Sequence, residues 1–123
     1  MSRTLLLWGS INALLAVALG AFGAHGLKHI AADAAWQTWA TAAQYHFYHA
    51  LALLLIGILV REYPRGIVAG RFMLAGIVLF SGSLYLLALT QIKILGVITP
   101  LGGVCFLLGW LWLVKIFWPT KRA

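Results

Sequence analysis

The histidines are the side chains of this sequence best suited to chemistry. His25 and His29 stand near the end of the first long apolar run, and His46 and His49 stand three residues apart within the second. An imidazole can bind a metal, relay a proton or serve as a buried hydrogen-bonding group. The spacing of three predicts that His46 and His49 share one face of a helix.

A haem or metal ion held between histidines is one hypothesis for these residues. Two imidazoles that share one iron must lie at the same depth, whereas His25 lies at the end of its apolar run and His49 in the middle of the next. His25 and His46 match more closely. The chain has no Cys-x-x-Cys-His attachment motif, which favours rings bonded to polar side chains or backbone. We therefore predict no cofactor and no metal, with histidine ligation as an alternative.

Three further polar side chains fall well inside apolar runs: Asn12, Ser81 and Ser83. If Trp39 marks the outer membrane boundary, His49 lies about 15 Å deeper at 1.5 Å per residue. Unpaired polar groups are costly in hydrocarbon, so these side chains should face inward and bond to one another or to carbonyls. We expect a neutral His49 whose partner is Asn12 or a serine. A network that fixes the helices is favoured over a polar pathway for a proton or solute.

Acidic side chains are too few for most hydrolytic mechanisms. The two acids, Asp33 and Glu62, lie outside the longest apolar runs, so a pair of catalytic carboxylates inside the membrane is excluded. A serine near His49 would lack the third, acidic member of a triad. The lone Cys105 is most simply a small packed side chain. We predict that the protein is not an enzyme.

The elements that position these residues follow from four stretches without Asp, Glu, Lys or Arg. They are Thr4 to Leu27, Ala34 to Val60, Phe72 to Ile92, and Ile94 to Val114. About 20 apolar residues in a helix cross a bilayer. We predict an all-α, integral membrane four-helix bundle, formed as one domain from residues 1–123, with helices near residues 4–24, 39–60, 71–91 and 95–116. The longest outer loop is expected from Gly26 to about Asp33, which is predicted to cap the second helix.

The positions of the basic residues predict the orientation. One side of the membrane would carry Arg3, Arg61, Arg65, Arg71, Lys115, Lys121 and Arg122. The other side would carry only Lys28 and Lys93. Both termini should therefore be cytoplasmic, in a multi-pass protein of the plasma (inner) membrane. The net charge of +7 is spread between apolar runs, which favours anionic lipids on the cytoplasmic face as partners and excludes nucleic acid.

Four sequence blocks in order resemble a known family. They are GAFGAHGL from Gly20, YHFYHALALL from Tyr45, LFSGSLYLLAL from Leu79 and ITPLGGVCFLLGW from Ile98. Together they resemble the YgdD-like small membrane proteins, known as domain of unknown function 423, whose eukaryotic relative is transmembrane protein 256. The resemblance covers nearly the whole chain. It implies a four-helix inner-membrane protein and no particular activity.

The resemblance also implies which positions are characteristic of the family. These are His25, Tyr45, His49, Ser81, Gly82, Ser83, Tyr85, Pro100, Gly102 and Gly103. His46 is a departure, because the family pattern has Gln there, so a metal site that needs His46 would not be a family property. The candidate functional or network residues are therefore Asn12, His25, Tyr45, His49, Ser81, Ser83 and Tyr85.

Stripes of small residues suggest the function. Gly9, Ala16 and Gly23 share one face of the first helix, and Gly102 and Gly109 share a face of the last. Such faces let helices approach closely. We predict a non-enzymatic accessory or structural component that packs against other membrane protein subunits or against itself. The alternative is a small solute or proton transporter or channel with a polar site near the middle of the membrane.

Overall fold

Four long helices make up most of the structure. The computed structural model describes residues 1–120. Its helices are Arg3–Ile30 (α1), Asp33–Leu59 (α2), Pro64–Thr90 (α3) and Leu95–Phe117 (α4), and each is long and apolar enough to cross a membrane. Residues 1–120 contain no β-strand. The protein is thus an all-α, integral membrane four-helix bundle, as the sequence predicts.

The connection between α1 and α2 is much shorter than predicted. α1 does not end near residue 24, because a π-helical turn at Gly23–Leu27 carries the helix on. The wider turn of a π-helix continues the backbone hydrogen bonding beyond the predicted end of the helix. Only Ala31 and Ala32 separate α1 from α2. The predicted long outer loop is therefore wrong.

Two other helix ends also differ from the prediction. α2 begins at Asp33, but its N-cap is Ala32 and no side chain caps it. The capping role predicted for Asp33 is therefore wrong, although an acid in the first turn still complements the helix dipole. α3 begins at Pro64 with one tight turn, Pro64–Gly66, rather than near residue 71, since proline is favoured at the first position of a helix.

The helices pack in a sequence that follows the chain. α1 lies mainly against α2, α4 lies mainly against α3, and α2 and α3 join the two pairs. The core between them is apolar, and its largest fully buried members are Leu53, Ile56 and Met73. These side chains fix the relative positions of the helices that carry the polar residues.

The predicted small-residue faces are the places where helices approach most closely. At Gly9 a Cβ atom would lie 3.0 Å from the backbone nitrogen of Leu54 on α2. At Gly102 it would lie 2.7 Å from the carbonyl carbon of Leu79 on α3. The predicted role of these glycines in helix packing is confirmed.

Trp39, which is expected to mark the outer membrane boundary, is buried inside the bundle. Trp39 is only 3% exposed, and its Nε1–H donates to the carbonyl of Leu19 at 2.7 Å. The absence of a side chain at Gly23 makes room for its ring. Trp39 is thus a buried contact between α1 and α2.

The four crossings place both ends of the described chain at one end of the bundle, together with Arg61. Lys28 and Lys93 lie at the other end. Lys121 and Arg122, which the orientation prediction also counts, lie outside the described residues. The two ends of the bundle are called here the terminal end and the opposite end.

Candidate functional site

The structure separates the candidate residues into four groups instead of one cluster. Asn12 and Tyr85 meet at His46, His49 contacts α4, Ser81 and Ser83 bond in different directions, and His25 lies at the opposite end. Tyr45 is 40% exposed and supplies a backbone carbonyl to His49. Asn12, His49, Ser81 and Ser83 each bond to a backbone carbonyl, as expected for polar groups that face inward, but no two of them bond to each other.

His46 is the centre of the most extensive polar network. Its Nε2 lies 2.9 Å from Oδ1 of Asn12 on α1, and its Nδ1 lies 3.0 Å from the hydroxyl of Tyr85 on α3. His46 is 4% exposed and Asn12 is 8% exposed. One imidazole on α2 thus joins three helices through two hydrogen bonds.

The donor and acceptor in each of these hydrogen bonds follow from a further bond that Asn12 makes within α1. Nδ2 of Asn12 donates to the carbonyl of Trp8 at 2.8 Å, so Oδ1 is the atom that faces His46 and accepts. Nε2 of His46 must then carry the proton, and its Nδ1 must accept from the hydroxyl of Tyr85. The chain runs Tyr85 to His46 to Asn12 to Trp8 with every group satisfied.

Aromatic packing holds the hydroxyl end of this chain in place. The ring of Tyr85 lies edge-on to Trp39, with centroids 4.7 Å apart, and edge-on to His46, with centroids 5.8 Å apart. Rings in such contacts attract each other through their charge distribution as well as through buried area. Trp39, itself bonded to α1, therefore helps to position the Tyr85 hydroxyl.

His49 forms a second, separate link. Its Nδ1 lies 2.7 Å from the carbonyl oxygen of Tyr45, so Nδ1 donates, and its Nε2 accepts from Nε1–H of Trp110 at 3.1 Å. The ring also stacks on Phe106, with centroids 3.5 Å apart and planes 11° apart. The prediction that Asn12 or a serine pairs with His49 is wrong, because this ring faces α4 and not α1.

Of the two serines of α3, Ser81 lies within a π-helical turn, Ile77–Gly82, and Ser83 directly follows it. Oγ of Ser81 is fully buried and donates to the carbonyl of Ala42 on α2 at 2.9 Å. Oγ of Ser83 bonds to the carbonyl of Phe80 at 2.9 Å and shares a hydrogen bond of 2.6 Å with the hydroxyl of Thr99 on α4. Each serine therefore joins α3 to a different neighbouring helix.

These geometries define what the buried groups can do chemically. The single lone pair of each neutral ring, at Nδ1 of His46 and at Nε2 of His49, is directed at a protein donor. A metal would have to displace Tyr85 or Trp110 to reach it. The hydroxyls of Ser81 and Ser83 bond to carbonyls and to Thr99 rather than to a histidine that could activate them. The arrangement is well suited to holding helices together.

A family model matches most of the chain. The model described as "Protein of unknown function (DUF423)" matches residues 19–103. That range contains all the candidate residues except Asn12, and it also contains His46. The chain belongs to this family.

Curated relatives extend the similarity to almost the full length. UPF0382 membrane protein YwdK of Bacillus subtilis is 54% identical over 116 residues, which cover 91% of this chain and 94% of the relative. UPF0382 membrane protein SAB0533 of Staphylococcus aureus is 48% identical over 113 residues, covering 91% and 93%. A relative from Staphylococcus haemolyticus is 43% identical with the same coverage. No solved structure matches this DUF423 chain.

Two residues of the polar site were not among the candidates. His46 was set aside because the resemblance implied a glutamine there, and Trp110 was given no role beyond the membrane helix that contains it. The available signal was the position of His46 in the middle of an apolar run, where an unpaired imidazole is as costly as it is at His49. His46 thus places an imidazole at the junction of α1, α2 and α3.

Proposed function

We propose that this protein is a non-enzymatic component of a membrane assembly and binds another transmembrane helix through the polar face of α2. That face consists of Gln37, Thr41, Gln44 and Tyr48, which follow one another at helical spacing. Gln37 and Gln44 are exposed, and Tyr48 is 50% exposed. This outward polar face is the observation that carries the proposal.

The chemistry of the polar face favours a protein partner over lipid. Gln44 lies about 16 Å along α2 from its first residue at 1.5 Å per residue, which is well inside a helix that spans a bilayer. Nε2 of Gln44 donates to the hydroxyl of Tyr48 at 2.6 Å. Within residues 1–120, the Oε1 atom of Gln44 has no hydrogen-bond partner. An amide oxygen left facing hydrocarbon is costly, and another helix can supply its donor.

Thr41 adds to the proposed contact in a different way. Its hydroxyl already donates to the carbonyl of Gln37 at 3.0 Å, so it costs little in lipid. Because its side chain is short, the surface of α2 has a shallow depression between Gln37 and Gln44. A partner helix can therefore approach closely at Thr41 and reach the Gln44 amide.

Crosslinking in native membranes tests this proposal. A photoreactive phenylalanine analogue at position 41 is expected to give a discrete crosslinked product. Gln44→Leu in the same chain should lower the yield of that product several-fold, because leucine removes the amide but keeps the helix apolar. The matched control is the same analogue at position 107 on α4, where Leu107 is also exposed. Equal yields at positions 41 and 107, or a yield insensitive to Gln44→Leu, would defeat the proposal.

The proposed orientation has both termini in the cytoplasm of a plasma (inner) membrane. It is supported by the excess of Lys and Arg at the terminal end over the two lysines at the opposite end. In a Cys105→Ala background, an impermeant maleimide applied to intact cells should label Ile92→Cys, and should label Pro119→Cys only after permeabilisation. Neither substitution alters the charge count. Labelling of Pro119→Cys in intact cells would show that the C-terminus lies outside and would contradict the proposed orientation.

Transport of a solute or proton is the alternative function. The buried chain from Tyr85 through His46 to Asn12 is the feature that favours it, since such groups can pass protons. The chain ends, however, at the carbonyl of Trp8, which has no proton to pass on. This termination favours the structural role. Proton flux into proteoliposomes that disappears in His46→Gln would reverse that preference.

A further inference from the structure

We propose that a cavity at the terminal end of the bundle binds the phosphate of an anionic phospholipid. The cavity has a volume of about 740 Å³ and lies between the start of α3 and the last turns of α4. Its charged side chains are Arg65, Lys115 and Glu62. This site is separate from the polar face of α2.

Two cations are arranged around one indole ring in this cavity. Cζ of Arg65 lies 5.9 Å and Nζ of Lys115 lies 4.9 Å from the ring centroid of Trp112. Nε1–H of Trp112 donates to the carbonyl of Arg65 at 2.8 Å, which fixes the ring against the start of α3. The sequence brings Trp112 and Lys115 to the same face of α4 by their spacing of three.

The charges of the cavity favour an anion. Within residues 1–120, neither Arg65 nor Lys115 is paired with an acid, and the two cations exceed the single carboxylate of Glu62. Two like charges held near one ring repel each other, and an anionic phosphate bound in the same cavity would relieve that repulsion. The walls also contain the aromatic rings of Tyr63 and Trp118, which suit the headgroup region of a bilayer.

The neighbouring surface favours a lipid over a free phosphate ion. An apolar groove of about 450 Å³ shares Val114 and Trp118 with the cavity, and its other walls include Leu55, Leu59 and Leu113. The groove lies between α2 and α4 and extends from Trp110 to Pro119. A cationic cavity that continues into an apolar groove matches a molecule with a phosphate at one end and an acyl chain at the other.

Native mass spectrometry of the detergent-solubilised protein tests the site with phosphatidylglycerol as the probe. The double variant Arg65→Gln and Lys115→Gln is expected to bind phosphatidylglycerol roughly 25-fold more weakly, since each cation near the membrane contributes about a factor of five. The matched control is Arg61→Gln with Arg71→Gln, which removes the same charge from the same end but does not line the cavity. This control should keep nearly full binding.

Two further binding measurements distinguish a lipid phosphate from a free phosphate ion. Phosphatidylcholine should bind the unaltered protein much more weakly than phosphatidylglycerol, and inorganic phosphate at millimolar concentration should not displace the lipid. Displacement of the lipid by inorganic phosphate would show that the site binds a free anion. Equal losses of phosphatidylglycerol binding in the two double variants would show that only the overall positive charge of this end attracts the lipid. Either result overturns the proposal. Unchanged helix content and thermal unfolding of both variants would show that the fold persists.

Discussion

Gly102→Ala is expected to destabilise the bundle by about 3 kcal/mol, at the upper end of the usual cost of overpacking a core. The new Cβ would lie 2.7 Å from the Cα of Phe80 and 2.7 Å from the carbonyl carbon of Leu79, and closer still to the nitrogen of Phe80. These are backbone atoms and cannot rotate away as a side chain can. Relief requires α3 and α4 to separate, which would lengthen the bond between Ser83 and Thr99.

Gly103→Ala is the matched control for this prediction. At the neighbouring position a Cβ would meet only Cδ2 of Phe80, at an ordinary distance of 3.8 Å. Alanine is also the better helix former by up to about 1 kcal/mol, so Gly103→Ala should be neutral or mildly stabilising. Reversible unfolding in mixed micelles of mild and denaturing detergent measures both variants. Similar midpoints for the two would contradict the close approach of α3 and α4 at Gly102.

The fold class could be predicted because the membrane sets a simple requirement. Four stretches free of charged residues are long enough to span, and a spanning segment in lipid must satisfy its own backbone. The ends of the helices could not be predicted as well. A stretch without charged residues does not show where its helix stops, and α1 continues through a π-helical turn at Gly23–Leu27 and past Lys28 to Ile30.

Burial inside the bundle could be predicted for Asn12, His49, Ser81 and Ser83, but the direction of each side chain around its helix could not. His46 and His49 are three residues apart, so they differ by about 60° around a helix of 3.6 residues per turn. That angle is enough for His46 to bond α1 and α3 while His49 bonds α4. Asn12 was correctly placed inside the bundle. Its partner, His46, was not predicted, because hydropathy does not show which helices pack against each other.

The role of Trp110 could not be predicted for a related reason. Tryptophan is common at the edges of membranes, where its ring meets headgroups, and a half-exposed indole in α4 fits that pattern. Its N–H instead satisfies His49 from a distant part of the chain. Only the assembled bundle shows that the indole is a hydrogen-bond donor to a buried ring.

His46→Leu is expected to destabilise the bundle by about 2–3 kcal/mol. Leucine cannot replace either hydrogen bond of the ring, so Oδ1 of Asn12 and the hydroxyl of Tyr85 lose their partners at 2.9 and 3.0 Å. A buried polar group left unpaired costs about 1–3 kcal/mol, and hydrogen bonds between membrane helices contribute somewhat less. The same detergent unfolding measurement applies, and an unchanged midpoint would show that the imidazole does not connect the three helices.

His46→Gln is the control that separates hydrogen bonding from histidine chemistry. A glutamine amide can donate to Asn12 through its nitrogen and accept from Tyr85 through its oxygen, so at least half of the lost stability should return. A second test is Asn12→Leu combined with His46→Leu. Removing both partners leaves fewer polar groups unpaired, so the double variant should cost less than the sum of the two single variants. Additive costs would mean that the two side chains do not interact, and the contact between α1 and α2 would then depend on apolar packing alone.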